Sequence, residues 1–161
     1  MKSIRTFAIL GAAASFSLAA CSEGPREDYN PEATKKGERL TVENARIMLP
    51  AVDGNPAVAF FDLTYASGGG PTVKSVEIDG AGSAEIHATD TIDGKTTMGE
   101  AAPITLWPRQ TLSFEPGGYH VMVMNPSEDI KAGAETNMTV TLSNEETITV
   151  AVPIQAAGED R

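Results

Sequence analysis

From Leu40 onward the chain is written in short runs that are apolar at every second position or rich in β-branched residues. They cover 40–49, 57–66, 72–78, 84–89, 111–114, 119–124, 137–142 and 147–152. Alternation with period two places successive side chains on opposite faces of a strand. The gaps carry turn chemistry: Asp53-Gly54-Asn55-Pro56, Gly68-Gly69-Gly70-Pro71, Asp79-Gly80, Asp93-Gly94 and Pro116-Gly117-Gly118. Glycine supplies positive φ and proline presets φ near −65°, so these clusters end strands and reverse the chain. Many short strands at fairly regular spacing predict an all-β sandwich or barrel. The stretch 125–132 leaves room for a single helical turn. No repeat or heptad breaks the pattern.

The first 38 residues follow another logic. Lys2 and Arg5 precede an apolar or small run from Phe7 to Ala20, with no Asp or Glu before Glu23. That run is short for a bilayer span and fits a secretion signal over 1–20. It ends in Leu18-Ala19-Ala20-Cys21, which resembles a lipobox, so Cys21 is expected to become a lipidated first residue. Ser22 follows it instead of Asp, which favours outer-membrane anchoring on the periplasmic face. Cys21 is the sole cysteine, so no intrachain disulfide can form. Residues 21–38 are polar, with Gly24, Pro25, Pro31 and Gly37, and read as a flexible tether. A folded domain is expected over 39–154 and a short polar tail over 155–161. The net charge of −10 becomes −12 once Lys2 and Arg5 are removed, leaving ten basic against 22 acidic residues. So acidic a chain repels phosphate backbones, which argues against nucleic-acid binding.

The chemistry lies in four residues. The only two histidines, His87 and His120, stand at fixed distances from methionines: ten residues separate His87 from Met98, twenty-one separate Met98 from His120, and one separates His120 from Met122. Imidazole with thioether is a soft donor set that favours Cu(I) over zinc, magnesium or calcium. Strand phase supports a shared site. In 84–89, Ala84, Ile86 and Ala88 take the core face, leaving His87 outward with Glu85 and Thr89. In 119–124, Tyr119, Val121 and Val123 take the core face, leaving His120, Met122 and Met124 outward. Met98 is expected in a loop after Asp93-Gly94, reaching over the strand ligands. Met48 and Met138 read as packing, and so does Trp107.

The spacing HX10M-X21-HXM resembles the signature of the PCuAC periplasmic copper chaperones. Ala84-Glu85-Ile86-His87 is similar to that family's first ligand strand, and Pro116-Gly117-Gly118-Tyr119-His120-Val121-Met122-Val123-Met124 to its PGGYHxMxM segment. Asn44-Ala45-Arg46, Leu49-Pro50-Ala51 and Ala59-Phe60-Phe61-Asp62-Leu63 also fit. The resemblance implies a cupredoxin-like Greek-key β-sandwich. It implies His87, Met98, His120 and Met122 as Cu(I) ligands. It further implies delivery of copper to the dinuclear centre of cytochrome c oxidase subunit II or to a Sco-type assembly protein. The His- and Met-rich C-terminal extension of some members is missing here.

Other chemistries fit poorly. Blue copper needs a cysteine thiolate beside its histidines, and Cys21 sits at the anchor. No HExxH, GxSxG or P-loop is present, and nothing supports catalysis. Two other expectations remain: a copper-buffering protein without a dedicated acceptor, and a structural envelope lipoprotein in which the His and Met residues are incidental.

Overall fold

A computed structural model describes residues 39–158. The expected signal, lipobox and tether fall outside the described residues, as does the end of the tail. Nine strands follow one another: β1 (Leu40–Met48), β2 (Ala57–Tyr65), β3 (Val73–Ile78), β4 (Ser83–Ile92), β5 (Lys95–Glu100), β6 (Thr111–Phe114), β7 (Tyr119–Met124), β8 (Glu135–Leu142) and β9 (Thr147–Gln155). Among the described residues there is no helix. The stretch 125–132, expected to allow a helical turn, instead forms a tight turn in which Ile130 N–H donates to Ser127 O at 3.0 Å. Pro126 and the positive φ of Asn125 (47°) break helical geometry at its start.

Hydrogen bonding orders the strands β3-β8-β9-β1-β2-β6-β7-β4-β5, with β2 also pairing β7. Most pairings are antiparallel; β1 with β9 and β6 with β7 are parallel. The sheet curls, so that β3 packs on β4 although they lie far apart in that order. Its concave face holds the core. Ile47, Phe61, Leu63, Tyr65, Phe114, Val121, Val123, Met138, Val140 and Ile154 are almost fully buried there. Burying each large apolar side chain contributes about 1.5–3 kcal/mol. Phe61 faces Phe114 in register and stacks on it, ring centroids 4.2 Å apart and planes 16° apart. At the other end of the core Arg39 pairs with the buried Glu146.

The largest departures from the sequence-based expectation are at β4 and β5. β4 runs on to Ile92, and β5, which alternation did not predict, returns from it as a hairpin. Ile92 opposes Lys95, so the loop is Asp93-Gly94 alone, both with positive φ (52° and 74°). That is the type I′ geometry matching the right-handed twist of two strands. Every residue of β5 is exposed, so no apolar alternation marks it.

Candidate metal centre

β4 lies between β7 and β5. Its pairing with β7 sets His87 directly opposite His120, and Glu85 opposite Met122. Its pairing with β5 sets Thr89 opposite Met98 and His87 opposite Glu100. Paired residues share a face of the sheet, and so do residues two apart along a strand. His87, Met98, His120 and Met122 therefore lie on one face, on three adjacent strands. The imidazole centroids are 6.0 Å apart, with planes tilted by 55°.

His120 is the best-defined group. The turn before it explains why. Gly118 N–H donates to Glu115 O at 3.0 Å, with Pro116 and then Gly117 (φ 85°) between them. Proline followed by a residue at positive φ makes a type II turn. The turn points the Gly118 carbonyl into the sheet. There it accepts from Thr89 N–H at 3.2 Å and from His120 Nδ1 at 3.1 Å. A carbonyl oxygen only accepts, so Nδ1 carries the proton of the neutral ring. Nε2 then presents its lone pair, and it lies 2.8 Å from Met98 Sδ. In that tautomer the imidazole lone pair and the thioether meet at one point.

His87 is more open, its side chain 22% exposed, and its Nε2 lies 3.5 Å from Glu85 Oε2. Met122 is half-buried between Val58 of β2 and Glu85 of β4. Among the described residues, no three of His, Cys, Asp and Glu are gathered as a metal site. The groups sharing this face are two imidazoles and two thioethers, with the Glu85 carboxylate beside His87. A flanking platform lies on β1 and β2. Asn44 donates to Asp62 at 2.8 Å, and Arg46 lies over the Phe60 ring at 5.1 Å. Hydrogen bonds from Asn44 and Ser113 hold the Asp62 carboxyl below the usual carboxylate range, with the Arg46 charge adding to them.

Three placements depart from the sequence reading. His120 was expected on an outward phase, yet it is only 6% exposed. The phase is right, but neighbouring strands and the Met98 side chain cover the ring. Met98 belongs to strand β5, not to a loop, and stands 59% exposed. Trp107 was read as packing; it is 60% exposed beside Gly70. Met138 is packed in the core as expected. Sequence reasoning overlooked Gly118 and gave Glu85 no role at the site. Each stands two residues before a histidine, Gly118 in the turn and Glu85 at the strand period, and that position was the available signal.

Such a curled all-β domain has the fold of PCuAC domains, which are cupredoxin-like. Three solved structures share it. The apo PCuAC domain from PmoF1 matches with TM-score 0.60 and 23% identity, over 73% of this chain and 94% of that one. The copper-bound PCuAC domain from PmoF2 matches with TM-score 0.58 and 17% identity, over 73% and 93%. The solution structure of CuI-DR1885 from Deinococcus radiodurans matches with TM-score 0.57 and 22% identity, over 75% and 80%. These likenesses establish the fold. The chain belongs to the family described as putative lipoprotein LpqE-like, which it matches over residues 40–154. A putative lipoprotein of Leifsonia xyli subsp. xyli is 30% identical to it over 115 residues, covering 71% of this chain and 69% of that protein.

Proposed function

We propose that this protein is an extracytoplasmic Cu(I) metallochaperone, held at a membrane by a lipid on Cys21 and not an enzyme. One observation carries the reading: His120 Nε2, its other ring nitrogen tied to backbone, faces the Met98 thioether at 2.8 Å, with His87 opposite in register. Met122 supplies the second sulfur from the same strand as His120. A carbonyl that fixes the tautomer of a histidine is the usual outer support of a metal ligand. Two imidazoles and two thioethers suit a soft monovalent ion, and thioethers stay unprotonated at any relevant pH. Imidazoles ligate only when neutral, so acid weakens the site.

The neighbours named as copper-bound support copper as the cargo. The lipoprotein names of the family and of the relative support the anchor, for which we propose the periplasmic face of the outer membrane. The acceptor we propose is the dinuclear copper centre of cytochrome c oxidase subunit II, or a Sco-type protein serving it. Titration with Cu(I) against a competing chelator tests the reading. We expect one ion bound with sub-micromolar affinity, lost in the His120→Ala, Met122→Ala double variant. Unchanged affinity in that variant would reject the site. Holo-protein mixed with the apo acceptor domain should give up its copper; retention would reject delivery and leave buffering.

A further inference from the structure

We propose that copper leaves this centre by an ordered exchange in which Met98 is displaced first and His120 last. The inference rests on the Cu(I) reading above and adds a direction to it.

Exposure sets the gradient. Met98 is 59% exposed, the His87 side chain 22%, and His120 6%. An incoming ligand reaches donors in that sequence. Attachment runs the same way. β5 is an edge strand, hydrogen-bonded to β4 alone, with every residue exposed. β7 is flanked by β4 on one side and by β2 and β6 on the other. The His120 ring is tied through Nδ1 to a carbonyl that also holds Thr89 N–H. Turning that ring off a metal breaks a hydrogen bond to the backbone. Met98 has no such tie beyond its contact with His120, and a methionine side chain adapts readily.

There is room for the movement. Met98 stands 59% exposed on an edge strand whose residues are all exposed, so its thioether can swing into solvent without disturbing the strand. The free edge of β5 then gives an acceptor its path, and the acceptor chemistry that fits is a thiolate. In the first step one bond from copper to the Met98 sulfur breaks as one bond to the acceptor sulfur forms. The thiol proton passes to solvent and copper stays Cu(I), so no electron moves. His87 is exchanged next, and His120 releases the ion when the acceptor has completed its own coordination.

Nuclear magnetic resonance on the full chain tests the order, with labelled methionine methyls and histidine ring nitrogens and dithiothreitol as the thiolate probe. One equivalent of Cu(I) is bound, and the probe is added below stoichiometry. We expect a ternary species in which the Met98 methyl returns to its apo position while Met122 and His120 keep their metal-shifted signals. Met98→Leu should speed transfer to dithiothreitol about tenfold, and Met122→Leu much less. Met98 is exposed on an edge, so its variant should fold normally. Reversion of Met122 or His120 first, reversion of all donors together, or equal rates in the two variants would overturn the order. If the first equivalent of Cu(I) shifts none of these signals, the copper reading itself fails.

Discussion

β7 and β5 each bring a candidate ligand methionine, Met122 and Met98, to the same face, yet they hold it in opposite ways. β7 runs inside the sheet, with Val121 and Val123 in the core and His120 and Met122 between neighbouring strands. β5 lies at the edge, wholly exposed, and depends on one hairpin turn for its place. The first strand is positioned by burial, which is strong and non-directional. The second is positioned by turn geometry and one row of backbone hydrogen bonds. A centre that holds an ion and then surrenders it, as we propose, gains from this asymmetry. One half fixes the geometry, and the other half can open without unfolding anything.

Removing the fixed half should have the largest effect. His120→Ala deletes the donor on which Met98 and the Gly118 carbonyl both converge. Cu(I) affinity should fall by more than the roughly 10–100-fold typical of changes in a supporting group, measured by chelator competition. A variant retaining its affinity would make β7 dispensable and end the comparison. A substitution remote from both strands separates site from scaffold. Arg39→Met strips the cation from buried Glu146. Stability should drop by about 2 kcal/mol in urea, less than the ~3–5 kcal/mol for a fully buried pair because Arg39 stays partly in water. Copper affinity should be unchanged.

The movable half is tested at its turn. Gly94 has φ 74° and nothing within 4 Å of where a Cβ would stand. A side chain there meets no clash, so any cost is conformational, about 1–2 kcal/mol for an L residue forced into the left-handed region. Gly94→Val should loosen the hairpin and weaken Cu(I) binding about tenfold, equivalent to ~1.4 kcal/mol. The global urea midpoint should hardly move. A large shift of that midpoint would show β5 to be part of the core's cooperative unit, contrary to the contrast drawn above.

The sequence was most legible where burial writes the pattern. Val121 and Val123 alternate with His120 and Met122, and that alternation located β7 and its outward donors. β5 carries no such record. Lys95, Thr96, Thr97, Met98, Gly99 and Glu100 are all exposed, and an edge strand with two wet faces has no apolar period. Only Asp93-Gly94, the chemistry of a two-residue hairpin, announced it. The burial of His120 was also hidden. Alternation reports which face a side chain takes, whereas cover comes from what crosses that face. Here the cover is Met98, twenty-two positions away in sequence and brought over by the hairpin.

The smallest effect expected sharpens the comparison from the far side of the centre. Asp62 on β2 accepts from Asn44, whose φ of 54° lies at the bulge in β1 between Glu43 and Arg46. This latch ties β1 to β2, the strand next to β7. Hydrogen bonds hold the Asp62 carboxyl below the usual range, so folding favours the charged form. The stabilisation is therefore present above the unfolded carboxylate value of about 4 and lost as pH falls through the lower folded value. Because the group lies at the surface, its worth is a few tenths of a kcal/mol. Asp62→Asn should cost that amount in urea at neutral pH, and the gap from the wild type should close in strong acid. A gap that stayed constant into strong acid would assign the effect to shape instead of charge. A loss of copper affinity alongside it would mean that the rigid half extends across β2, and is wider than β7 alone.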